Sequence, residues 1–167
     1  MNQMKINNGF KLIIFIVVSE LAGIIGSVFT FSSISSWYVT LIKPALNPPG
    51  YVFGPVWTTL YALMGIAAFM IWSSYAKAPA GQEKRKITTA LTFFGIQLVL
   101  NTLWSIIFFG LRSPGAALVD IVFLWIAILA TIIVFYKIRK TAAYLLLPYI
   151  AWVSFATYLN YSIWILN

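Results

Sequence analysis

The chain has 167 residues, of which 62% are apolar, 17% aromatic and 8% charged, with a mean hydropathy of +0.93 and a formal charge of +8. A soluble domain of this length must place about half of its residues against water, so the composition excludes one and makes lipid the solvent for much of the surface. Cysteine and histidine are both absent, which excludes disulfides, thiolate chemistry and the commonest metal ligands, so no metal site and no required cofactor are expected.

Five apolar stretches run over roughly 11–31, 52–74, 88–109, 116–136 and 142–165. At about 1.5 Å of rise per residue each can cross a hydrocarbon layer about 30 Å thick. The connections are too short to fold separately, so an all-α integral membrane protein is expected, with residues 1–167 as a single membrane domain.

The first stretch is too long for a secretory h-region and is read as a retained span. Small residues recur every four positions, as Ser19, Gly23, Ser27 and as Ala22, Gly26, Thr30. Such stripes let helix backbones approach closely in lipid, so this helix should be buried in the bundle or in a dimer interface. Glu20 lies near its middle and should be neutral, or paired with Gln97, Asn101 or a tyrosine hydroxyl.

Between about Ser32 and Tyr51 lies the only long connection, loop 1. Its three prolines, Pro44, Pro48 and Pro49, remove amide donors and oppose a helix. With Trp37 and Tyr38 it can be either a lid over the bundle end or an interfacial aromatic anchor.

In the second span Pro55 is expected in the first helical turn, and Trp57 and Tyr61 share a face with Gly65 and Phe69 below them. The third span carries Gln97 and Asn101 on one face, with Trp104 and Ser105 just beyond; buried amides need partners, so this face should point inward. Asp120, about one turn into the fourth span, suits an interfacial role or a contact to loop 1. The fifth places Pro148, Trp152, Ala156 and Asn160 four apart. Pro148 should kink that helix and open a gap bordered by Trp152 and floored by Ala156.

Alternating spans put Lys5, Lys11, Lys77, Lys84, Arg85, Lys86, Lys137, Arg139 and Lys140 on one side, against Lys43 and Arg112 on the other. This asymmetry predicts a cytoplasmic N-terminus and an external C-terminus in a bacterial-type inner membrane, and it explains the basic clusters without any nucleic-acid partner.

The order and spacing of several stretches resemble the TspO/MBR family of tryptophan-rich sensory and translocator proteins. They are Glu20-Leu21-Ala22-Gly23; Trp37, Tyr38, Leu41, Lys43, Pro44, Asn47, Pro48, Pro49; Val52 to Thr58 with Leu60, Tyr61 and Gly65; Asn101, Trp104, Ser105, Phe108, Phe109; and Leu147, Pro148, Tyr149, Trp152, Phe155, Ala156, Leu159, Asn160. The resemblance implies a five-helix bundle, commonly dimeric, with a pocket beneath loop 1. It also implies protoporphyrin IX or haem, isoquinoline carboxamides or benzodiazepines as ligands beside membrane lipid, and a sensory, buffering or transport role.

Carried over position by position, the pocket would use Trp37, Trp57, Tyr61, Asn101, Trp104, Trp152 and Ala156, with Glu20, Gln97 and Asn160 as polar support. Haem would find no axial His, Cys or well-placed Met, so free porphyrin fits better. The family also implies an alternative activity, light- and oxygen-dependent porphyrin degradation, in which Trp57 and Trp152 would be the reacting side chains; no acid-base catalyst is expected. One wall differs from many relatives at Leu46. No Lys or Arg follows Tyr158 or Tyr161, so specific cholesterol recognition is not expected.

Overall fold

The computed structural model describes residues 7–75, 78–79 and 81–167, and its regular structure is entirely helical. Lys5 and Lys77, two members of the basic side, lie outside the described residues. The helices are α1 (Asn8–Ile34), α2 (Gly50–Tyr75), α3 (Gln82–Ser105), α4 (Pro114–Ile138), α5 (Lys140–Tyr144) and α6 (Leu147–Leu166). A 3-10 turn, Tyr38–Thr40, lies in loop 1, and a π turn, Ile106–Gly110, prolongs α3.

Five of these units, with α3 extended to Gly110 and α5 joined to α6, are long and apolar enough to cross a membrane. The protein is therefore a multi-pass, all-α membrane bundle. The helices outrun the apolar stretches because backbone hydrogen bonding continues through interfacial polar residues such as Lys84 and Lys86, where hydropathy has already fallen.

Three contacts gather one end of the bundle. The Ser33 hydroxyl donates to the Phe109 carbonyl at 2.7 Å, the Asn160 amide donates to the Pro114 carbonyl at 2.7 Å, and Asn167 pairs with the Ile42 backbone. Loop 1, the α3–α4 link and the end of α6 thus meet, and successive spans alternate in direction. Around the ring, α1 lies against α2 and α3, α3 against α4, and α4 against α6, while α5 closes onto α2.

Glycines set the closest approaches. A Cβ on Gly65 would lie 2.6 Å from the Ile16 Cα and 2.8 Å from the Phe15 carbonyl oxygen, so α1 and α2 touch backbone to backbone there. A Cβ on Gly23 would run into the Tyr61 ring, and one on Gly26 would come within 2.9 Å of the Ser105 hydroxyl. The small-residue stripe of α1 therefore works as a helix-packing surface.

The structure sharpens three expectations. Of the two expectations for α1, enclosure within the bundle is not met: Ser19, Gly26 and Ser33 are buried, while Phe10, Ile13, Val17, Leu21, Ile24, Val28 and Phe31 are exposed on its other face, the one a second copy would have to cover. The stripe is narrow, so it can seat the helix against two neighbours without enclosing it. Pro55 sits in the second turn of α2, because the helix begins at Gly50, directly after the Pro48-Pro49 pair, and Val52 already donates to the Pro49 carbonyl at 3.0 Å. The fifth span is interrupted at the expected proline, although Leu145 and Leu146 between its two parts keep right-handed helical angles. Lacking an amide proton, Pro148 cannot bond the Tyr144 carbonyl, and α5 stops at Tyr144 before α6 restarts with Pro148 in its first turn.

Candidate functional site

Asn101 is the centre of the polar interior. It is 3% exposed; its Oδ1 accepts from the Tyr61 hydroxyl and its Nδ2 donates to the Tyr149 hydroxyl at 2.9 Å. This one amide ties α2, α3 and α6 together. Trp57, one turn before Tyr61, stacks on that ring with centroids 5.6 Å apart and meets Tyr149 edge-on at 6.3 Å. The i, i+4 spacing of Trp57 and Tyr61 thus gives an indole and a phenol on one wall.

A second aromatic cluster lies toward loop 1. Trp104 stacks on Phe108 at 5.0 Å, Trp37 meets Phe108 edge-on at 5.7 Å, and Tyr38 packs on Phe109 at 5.6 Å. The Trp104 indole donates to Asn160 Oδ1 at 2.9 Å. Trp104 packs against both clusters and joins them. The consecutive residues Phe108 and Phe109 are both buried, which the wider π turn permits by rotating the side-chain register relative to an α-helix.

Loop 1 lies across this cluster as a cover. The Tyr38 hydroxyl donates to Asn47 at 3.2 Å, the Lys43 ammonium stands 4.7 Å over the Tyr38 ring, and the Asn167 amide both accepts from Ile42 N at 3.0 Å and donates to Ile42 O at 3.1 Å. Burial pushes the Tyr38 hydroxyl above its ordinary range, outweighing the opposing effect of Asn47. Its contribution to the folded loop is therefore fully present below the unfolded tyrosine value of about 10 and is lost as pH rises through the raised one.

Trp152 packs between Phe53 at 5.9 Å and Phe155 at 5.7 Å, and Ala156 packs on the same core. Among the described residues the shielded Trp152 Nε1 has no hydrogen-bond partner, nor has either amide atom of the fully buried Gln97 or Oδ2 of Asp120. Shielded polar atoms normally find hydrogen bonds, so each of these groups is open to a further polar partner.

Of the two expectations for Glu20, neutral or paired, the pairing is not met. Glu20 is partly exposed on α1 and makes no hydrogen bond among the described residues, because Tyr61 turns its hydroxyl to Asn101 instead. Asp120 is also placed differently: it is 8% exposed, on the inward face of α4 with Ala117, Ile121 and Leu124, and within electrostatic reach of Tyr149. Two further members, Tyr149 and the Phe108–Phe109 pair, were absent from the expected set. Tyr149 had a signal, since it lies three residues before Trp152 and seven before Ala156 on one helical face. The phenylalanines stood only in the stretch that resembles the family, because a π turn leaves no mark in apolar periodicity.

A sequence model of the TspO/MBR family matches residues 15–165. The chain is 46% identical over 145 residues to the tryptophan-rich protein TspO of Chlorobaculum tepidum, an alignment covering 87% of this chain and 88% of that one. It is 43% identical over 160 residues to the tryptophan-rich protein TspO of Archaeoglobus fulgidus, covering 96% and 99%. With the human translocator protein it shares 39% identity over 150 residues, covering 90% and 86%. A family match across nearly the whole of a five-span bundle leaves one assignment: the chain belongs to the TspO/MBR family.

Proposed function

We propose that the cluster beneath loop 1 binds a flat, largely apolar tetrapyrrole, protoporphyrin IX in preference to haem, and accepts isoquinoline-carboxamide or benzodiazepine-type compounds in the same place. The observation that carries this reading is the Asn101 amide, held between two tyrosine hydroxyls with the Trp57 ring stacked on one of them and Trp104 packed on the same core. Indole and phenol faces suit a large conjugated ring, and a few fixed polar groups suit its carboxylate edge. Trp37, Trp152 and Ala156 complete the lining, while Gln97 and Asn160 support it; Glu20 stands at its α1 side.

The role is sensory, buffering or transport, in keeping with the family. The acting unit is the whole chain, 1–167, working as a homodimer in a bacterial-type inner membrane without specific cholesterol recognition. Lys43 and Arg112 belong to the loop 1 end while Lys11, Lys84, Arg85, Lys86, Lys137, Arg139 and Lys140 belong to the other, which supports a cytoplasmic N-terminus.

Titrating protoporphyrin IX against intrinsic tryptophan fluorescence tests binding. Saturable quenching is expected, weakened by about tenfold or 1.4 kcal/mol in Trp57→Phe and in Trp152→Phe. Linear quenching that is the same in both variants would refute the reading.

A second reading, light-driven porphyrin degradation, draws support from the stacking of Trp57 on Tyr61, which sets an oxidisable indole against a phenol. Illumination in oxygen would then give a discrete product faster than free porphyrin does, and Trp57→Phe would abolish the difference. Unspecific bleaching at the free-porphyrin rate would leave binding alone.

A further inference from the structure

The geometry points to lateral uptake: a ligand dissolved in the bilayer reaches the site between α2 and α6, and loop 1 is not its door. The inference rests on the binding reading above and adds a route to it.

The first ground is the thinness of this seam. Helices α2 and α6 touch at fewer backbone positions than the neighbouring pairs of the ring. What bridges them is aromatic, Phe53 against Trp152 at 5.9 Å and Trp57 against Tyr149 at 6.3 Å. Ring contacts of this kind are individually weak and can part by side-chain rotation, whereas the Gly65–Ile16 backbone contact that closes α1 on α2 cannot.

The second ground is a cleft of about 270 Å³ on that same seam, lined by Pro55, Val56, Thr59, Leu60 and Leu63 of α2 and by Pro148 of α6. It runs alongside the site on the same helices: Val56, Leu60 and Pro148 are the chain neighbours of Trp57, Tyr61 and Tyr149, so only the thickness of those helix walls separates the two. Both walls carry a proline that deletes a helical hydrogen bond, and Pro148 follows the break between α5 and α6. Local backbone give is therefore built into the two helices that would have to separate.

The third ground is the chemistry of the wall. Its one hydroxyl, on Thr59, already donates to the Pro55 carbonyl at 2.9 Å, so a flat apolar ring crossing it leaves no donor stranded. One turn beyond Pro148 stands Trp152, whose indole N–H is without a partner among the described residues. By contrast the loop 1 side is fastened, by the paired Asn167–Ile42 contacts, the Tyr38–Asn47 bond and the Ser33–Phe109 bond.

The test is stopped-flow quenching of tryptophan fluorescence with protein in nanodiscs and protoporphyrin IX supplied from preloaded liposomes. Thr59→Phe, which fills the cleft, is expected to slow both association and dissociation about tenfold while Kd stays within about twofold. Leu63→Ala, which widens it, is expected to speed both, and this arm stands if the first variant does not fold. Asn167→Ala, which frees Ile42 of loop 1, is expected to leave both rates unchanged. The inference is overturned if the cleft variants leave the rates unchanged, if they alter Kd alone, or if Asn167→Ala accelerates binding. Absence of saturable binding in the unsubstituted protein would instead sink the binding reading, and the route with it.

Discussion

Replacing Asn101 by leucine is expected to abolish saturable porphyrin binding and to lower thermal stability at the same time. Leucine nearly matches the amide in shape, so packing changes little. What changes is that the Tyr61 hydroxyl loses its acceptor and the Tyr149 hydroxyl loses its donor. Both lie in a low-polarity interior with no water to replace the partner, and the combined cost is about 2 kcal/mol, toward the modest end because polar groups in a membrane also find partners in the unfolded state. Adding Tyr149→Phe to Asn101→Leu removes one of the stranded hydroxyls. Detergent melting curves of the double variant should therefore recover part of the loss, while titration still shows no saturable site. Full recovery of binding would mean that Asn101 is only a structural clamp.

The largest stability effect is expected at Gly65. Alanine there would place a methyl group 2.6 Å from the Ile16 Cα, and backbone cannot yield as a side-chain end can. Separating α1 from α2 to admit it should cost about 3 kcal/mol and shift Tyr61 away from Gly23. Gly95 is the matched control, since a Cβ at that position meets nothing within 4 Å. Gly95→Ala is expected to be neutral or to stabilise by up to about 1 kcal/mol, the ordinary helical preference of alanine over glycine. Equal melting temperatures for the two variants would show that the α1–α2 backbone contact does not govern stability.

Much of the fold was legible in the chain because hydrocarbon imposes a simple requirement. Every buried backbone group must be bonded within its own helix, so each span appears as a long apolar run, and the polar residues it contains stand out. Asn101 and the Trp57–Tyr61 face could be read in this way, and the structure brings all three together. Periodicity states which face of a helix turns inward; it does not state which helix it will meet. That is why the pairing offered for Glu20 is not met among the described residues, and why the inward placement of Asp120 was missed. The contact of Gly65 with the Ile16 backbone depends on two helices crossing at one point, which neither helix encodes alone. Backbone departures were harder still. Pro148 signalled disruption of the fifth span but not whether it would bend or break, and nothing in the run Ile106 to Gly110 signalled the π turn that brings Phe108 and Phe109 inward together.

The central claim, that the indoles, phenols and amide beneath loop 1 form one ligand site, is tested most directly by a structure with protoporphyrin IX bound. The ring is expected among Trp57, Trp104 and Trp152, with Asn101 at its polar edge and the Trp57–Tyr61 stack opened to admit it. A porphyrin found instead in the outward cleft of about 280 Å³ formed by Val122, Trp125, Ser154 and Thr157, with Trp57, Tyr61 and Asn101 undisturbed, would contradict it.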